Sequence, residues 1–419
     1  MALGYLGKTY LWAASPLMKN GAQLGAIKSG KTYDYDKELA QKAAEAFGEL
    51  LNLVESGATK YSLAEFKYKD IYNHQRSDDA TSCYSDIFYT LRQNWKMPGT
   101  TEAIFRGPMN GDGNSSNWNT SKVFGPKVDK VVAHDNVIHQ PTGNLIDAYG
   151  MANGLPIDDP NSGYDPTHPY KNRDPRFYHD IMFDGFKFLN ADPDEKSGDL
   201  PFQYLELFTG GNMVPTGNPE REANGSRTGY FCQKLVPHQC NKYDGMYNWG
   251  GALQTYLPYL RLADIYLLYA EAGAAASGAA HKAKCSLNAA DAINVLRDRV
   301  GAGHVADRFL ADQKKFIDEV RRERACELAF EGFRWQDLQR WLLLTEYPYN
   351  VKTRQEFKRV GNYNFAENDP RDAEVTGFDP TIKGQTIIVE RKFGTKHYLL
   401  PLKESDVYLY AEYPQNPGW

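Results

Sequence analysis

The sequence predicts a mainly α-helical protein in which helix pairs carry long ordered loops and a few short strands. Three observations predict it. Apolar residues recur at i+3/i+4 spacing over 3–18, 36–56, 258–277, 286–300 and 313–331, the period of helices with one buried face. The first helix of each hairpin, 3–56 and 258–300, is rich in Ala and Tyr, so small residues let backbones approach while rings fill the grooves. Between the hairpins, residues 60–255 are dense in Gly, Pro, Asn, Asp and Tyr and keep no helical period.

Taken in order, the helix predicted over 36–56 places Leu39, Ala43, Ala46, Leu50 and Val54 on one face and stops at Gly57. The segments 110–119, 158–175 and 209–226 are runs of turn formers. Loops this long are uncommon in compact domains unless they do something, commonly binding. The second hairpin ends its first helix at Gly278. In the helices of 313–343, Ile317, Val320, Arg324 and Leu328 form one stripe, which places Arg324 among apolar neighbours. A charge there needs a partner, and Glu327 and Glu331 at i+3 and i+7 are the expected ones. Gly332 suits a left-handed stop, with Arg334, Trp335 and Trp341 on a second short helix. Residues 345–419 are loop-rich again, with a strand-like TIIVERKF at 386–393. The whole chain, 1–419, reads as one domain.

Composition narrows the function. With 48 basic against 53 acidic residues and a net charge of −5, nothing offers the basic surface that nucleic acid requires. The 28 Tyr outnumber the 20 Phe, which suits wet recognition surfaces or a Tyr-rich core rim. No run of about 18 apolar residues is present to span a bilayer. Five cysteines show no metal-ligand spacing. Cys285 and Cys326 fall in helical patterns as small buried hydrophobes, whereas Cys232 and Cys240 could pair in an exported protein.

Several motifs fail their own mechanism. GAIKSGKT (25–32) matches the letters of a phosphate-binding loop, but no buried strand precedes it and TYDYD separates it from the next helix, so it reads as a turn. Asn110, Asp112 and Asn114 begin like a calcium loop, yet position twelve is Ser121, so only a looser, weakly supported calcium site remains beside a hydrated turn. His134 and His139 lack the i, i+4 spacing of zinc ligands. No acid and base can be singled out for glycan cleavage. Arg173 and Arg176 of NRDPR can fork onto carboxylates or loop carbonyls, which makes them structural clamps alongside Arg324, Glu327 and Glu331.

The candidate ligand residue is Trp118 in NSSNWNTS, a Trp among amides with no apolar period around it, suited to stacking on a sugar or peptide. Asn117 beside it, Tyr149, Trp249 and Trp95 complete the expected platform. For each Trp the competing reading is a cap on loop packing.

ERACELAFEGFRWQDLQRW (323–341) resembles the ERR-ELAFEG-R-DL-RW signature of the RagB/SusD family, the nutrient-binding outer-membrane lipoproteins of Bacteroidetes. YLWAASPLMKNG (10–21), PTGNLIDAYGMANGLPI (141–157), YKNRDPRF (170–177), YLPYLRLADIYLLYAEA (256–272) and PQNPGW (414–419) resemble that family's other segments in the same order. The resemblance implies tetratricopeptide-type helix pairs decorated with long ordered loops, no enzymatic activity and no cofactor. It also implies an oligosaccharide or peptide ligand, and a SusC-like TonB-dependent transporter as partner at the outer-membrane cell surface. Members of the family carry an N-terminal signal, an acylated Cys and further helices ahead of the ASPL segment. None of these precedes it here, so the expectation is a chain lacking its N-terminal part, including the lipid anchor that would be its only membrane contact. Two other readings compete: a tetratricopeptide-type scaffold for protein tails, which would not need some 200 residues of intervening loop, and a secreted glycan hydrolase.

Overall fold

The computed structural model describes residues 1–19, 34–66, 84–90, 101–106, 124–126, 139–189, 196, 198, 200–214, 225–236, 254–255, 257–379, 384–409 and 412–419. Six helices of seven or more residues among them form the frame: α1 (Ala2–Ala14), α2 (Lys37–Glu55), α3 (Leu262–Ala276), α4 (Ala289–Val300), α5 (Gln313–Glu327) and α6 (Arg334–Arg340). Helix α1 packs on α2, α2 on α3, and α3 on both α4 and α5.

Each helix end has a local cause. Helix α1 stops at Ala14 because Ser15, ahead of Pro16, is extended (ψ 157°), and the remainder of the expected 3–18 helix is a separate turn, Pro16–Lys19. The Asp36 carboxylate accepts from the Glu38 and Leu39 amides at 3.0 Å, starting α2. Gly48 of α2 could be no other residue without a shift, since a Cβ there would lie 1.8 Å from the Ala283 carbonyl oxygen. Asn288 and Asp291 form a capping box, so α4 begins at Ala289 rather than 286.

Helix α3 starts later than the apolar pattern suggests. Pro258–Arg261 is a strand, paired antiparallel with Ala103–Arg106, and the helix begins where the Leu262 amide donates to the Glu102 carbonyl at 2.9 Å. Pro258 lacks an amide proton, which suits the first position of a short ladder. Fourteen of the fifteen residues of α3 are buried, Asp264 and Glu271 included.

Helix α5 ends at Glu327, four residues short of the expected 331. Its terminal carbonyl is taken by Lys234 Nζ and Arg261 Nη2, both at 2.8 Å, so no further turn is needed to satisfy it. The chain then turns away through Phe330 and Gly332, both at positive φ.

Two main cores result. One is helical, drawn from α1 to α6. The other is aromatic, built by Tyr170, Phe177, Phe183, Tyr230, Phe231, Phe357 and Phe378 from the loop-rich parts. Helix α5 serves both, with Phe316 and Val320 in the first and Cys326 in the second. Five two-stranded antiparallel ladders staple the described loops, and Thr386–Glu390, within the expected strand, pairs with Val351–Arg354. Cys232, Cys285 and Cys326 are buried free thiols, and Cys240 lies outside the described residues.

Between the cores runs a zipper of buried charge. Glu319, Glu323, Glu327 and Glu331 are four apart, and an arginine bridges each successive pair. Arg297 joins Glu319 and Glu323 at 3.0 and 2.9 Å. Arg176 joins Glu323 and Glu327 at 2.6 and 3.1 Å. Arg261 joins Glu327 and Glu331 at 2.8 and 2.7 Å. Arg324 is buried, but its partners are Asp264 and Asp337, each at 2.9 Å, not the expected Glu327 and Glu331. The remote cations Arg261, Arg176, Arg299 and Lys234 occupy those two glutamates instead.

Removing one member of such a set strands the others as buried, uncompensated charges. Arg324→Ala is expected to lose about 3–5 kcal/mol, read as a marked fall in the chemical-denaturation midpoint. Burial alone would raise the carboxyls of Glu271 and Glu323. Arg340 at the first and Arg176 and Arg297 at the second hold them at about 2, below the ordinary 4.5. The unfolded chain therefore takes up protons first, and the stability these groups contribute above about pH 4.5 drains away as pH falls toward 2. Denaturation series at pH 6 and pH 3 should show a steep loss, reduced in Glu271→Gln.

Candidate functional site

The NRDPR segment starts the helical turn Pro175–Asp180, with Asp174 as its cap. Arg173 donates to the carbonyls of Gly150, Pro169, Ile146 and Tyr149 at 2.6–3.3 Å, and its guanidinium lies 4.6 Å from the Phe177 ring centroid. Arg176 forks onto Asp174 and reaches Glu323 and Glu327. Both are fully enclosed, so they hold the loops and offer nothing to a ligand.

Trp118, Asn117, Trp95 and Trp249 lie outside the described residues, as do 25–32, Asn110, Asp112, Asn114 and His134. Tyr149 departs from the expected platform. It is fully buried, its hydroxyl donates to Asp180 Oδ2 at 2.8 Å, and its ring meets Phe177 edge-on, so no face is left for stacking.

Ser85, His179 and Asp180 stand in line. Ser85 Oγ is 2.9 Å from His179 Nε2, and His179 Nδ1 is 2.7 Å from Asp180 Oδ1. The order mimics a hydrolytic triad, but a nucleophile must meet its acyl group. Ser85 is 0% exposed and His179 1%, so this is a satisfied polar chain inside the fold.

The described surface has an open cleft of about 560 Å³ where α5, the start of α6, the 144–158 segment and the Tyr347–Tyr349 turn meet. Tyr347 is 50% exposed and Tyr349 is partly buried, so two rings border it. Its floor is tied down in sequence. The Asn144 amide donates to Thr353 Oγ1 at 2.9 Å, Thr353 to Gln385 Oε1 at 2.5 Å, and Gln385 Nε2 to Asp147 at 2.7 Å. Three arginines line it in unequal states. Arg322 is fully engaged, with Glu319 and the carbonyls of Ala148 and Gly154. Arg321 bridges to Asp318 at 3.0 Å. Arg334 lies over the Tyr349 ring at 5.4 Å, its Nη1 buried without a hydrogen-bond partner among the described residues, as is Asn144 Oδ1. Burial pulls the Arg334 pKa below its ordinary value, with Arg324 and Arg321 adding to the pull. Sequence reading did not single out this cleft. Its one legible sign is the pair of tyrosines flanking Pro348, a residue set with no helical period.

Helix pairs wrapped by laddered loops, with the motif charges shut inside, define a tetratricopeptide-like helical protein whose described cleft lies where two helices meet the loops. The SusD family model (SusD/RagB) matches residues 101–419, and the chain belongs to that family. Among solved structures it is similar to a SusD-like protein (BF3747) from Bacteroides fragilis NCTC 9343. There the TM-score is 0.58 at 22% identity, over 97% of this chain and 68% of that one. BT4246 aligns with a TM-score of 0.64 at 21% identity, over 100% and 70%. A SusD-like carbohydrate-binding protein (BF0978) of the same Bacteroides fragilis strain aligns with a TM-score of 0.56 at 18% identity, over 97% and 63%. At these identities the likeness shows the shared fold. No curated protein matches the sequence.

Burial raises the Asp147 carboxyl from 3.8 to about 7, against the lowering hydrogen bond from Gln385. Between about pH 4 and 7 the folded chain keeps a proton that the unfolded chain has released, so this group lowers stability as pH rises through that window. Asp147→Asn should flatten the decline, as read from melting temperatures measured from pH 4 to 8.

Proposed function

We propose that the protein is a non-enzymatic, surface-exposed component of a TonB-dependent nutrient uptake system. It captures oligosaccharides or peptides and passes them to a SusC-like partner transporter at the outer membrane, to which a lipid anchor would hold it. The SusD family match over 101–419 carries this reading. The carbohydrate-binding description of the structurally similar BF0978 protein supports a glycan as ligand. So does the cleft bordered by Tyr347 and Tyr349, because flat rings with polar tips suit the alternating apolar and hydroxylated faces of a sugar. Among the described residues no helix is long and apolar enough to cross a membrane. On sequence grounds the loop residues Trp118, Asn117, Trp95 and Trp249 belong to the same binding function.

A glycan and peptide array should identify a ligand, and calorimetry with that ligand should show roughly tenfold weaker binding for Tyr347→Ala or Trp118→Ala. Incubation with the ligand should leave its chain length unchanged. Shortened products would replace this reading with hydrolysis.

A further inference from the structure

Three buried atoms of the cleft lining, Arg334 Nη1, Asn144 Oδ1 and Arg321 Nε, have no hydrogen-bond partner among the described residues. Of the cleft's three arginines, Arg322 and Arg321 have carboxylate partners within 3.0 Å, and Arg334 has none among the described residues. Its guanidinium is part-buried and held against the Tyr349 ring, with Nη1 sealed off and unpartnered. A desolvated cation without a counter-charge is an expensive feature for a fold to keep unless something answers it. The opposing charges do not answer it. Asp337, one turn along the same helix, acts on it at a distance but is bridged to Arg324 and Arg340. Asp318 is committed to Arg321, Asp147 is bonded to Gln385, and Asp158 is exposed at the rim, where water screens it.

We propose that Arg334 is the receptor for a carboxylate on the ligand, so the cleft beside Tyr347 and Tyr349 takes an acidic oligomer in preference to its neutral counterpart. This rests on the binding function proposed above and adds the charge of what is bound. A planar guanidinium fixed by a ring beneath it presents its remaining N–H groups in a fork that matches a carboxylate. Asn144 Oδ1, also unpartnered, offers an acceptor for a neighbouring hydroxyl or amide of the same ligand.

A carboxylate can come from a uronic acid or from a peptide, and matched probes separate the two. Calorimetry would compare a tetragalacturonate with its methyl ester, and a pentaglycine acid with its amide, on wild type, Arg334→Gln, Arg334→Lys and Tyr347→Ala. The expected result is an acid preference of about tenfold or more for one pair in wild type. That preference should fall to near unity in Arg334→Gln and persist in part in Arg334→Lys. Since Arg334 bridges to no carboxylate here, Arg334→Gln should melt close to wild type, which distinguishes lost recognition from lost fold. Equal binding of acid and ester or amide, a preference that survives Arg334→Gln, or no binding of either acid probe overturns the assignment. Neutral glycans bound tightly and lost in Tyr347→Ala would leave the proposed binding function standing while this inference fails. Depolymerisation of a probe would remove the binding function itself.

Discussion

The rest of the structure depends on the row of carboxylates at Glu319, Glu323, Glu327 and Glu331, spaced four apart along α5 and the turn that follows it. Like charges at that spacing repel, and in a low-dielectric interior they repel strongly. The arrangement holds only because Arg297, Arg176 and Arg261 each sit between two of them and share their donors. Those arginines come from α4, from the NRDPR turn and from the strand ahead of α3. Closing the zipper therefore fixes three remote parts of the chain against one helix at once.

The zipper also gives the cleft a rigid wall. The inner side of α5 is locked by its glutamates, and the same helix presents Asp318, Arg321 and Arg322 to the cleft. Arg322 spans both roles, bonding Glu319 in the ladder and the Ala148 and Gly154 carbonyls in the cleft wall. Loops stapled by two-stranded ladders and by the four carbonyl bonds of Arg173 then hold the opposite wall. The charge zipper and the cleft thus draw on the same helix from different sides.

Much of the frame was legible in the chain. Period and capping residues located α2, α4 and the start of α5 to within a few residues, because amphipathic spacing and side-chain caps are local effects. The misplacements share one origin. Pro258–Arg261 is strand because Ala103–Arg106 lies alongside, and α5 ends early because Lys234 and Arg261 take its last carbonyl. Tyr149 looked like a loop aromatic, yet Asp180, 31 residues away, gives its hydroxyl a buried partner.

By itself the sequence determined the helical class, the positions of the main helices, the need to pair a buried Arg324 and, through six ordered motifs, the family. These follow from spacing along the chain, which every copy of the sequence carries whatever its partners. Only the tertiary structure decided which carboxylate met which arginine, that Asp264 and Asp337 rather than Glu327 and Glu331 neutralise Arg324, and that Arg334 was left over. Charge pairing is a contact between residues tens to hundreds of positions apart. Its outcome depends on how helices pack in three dimensions, and no local pattern encodes that.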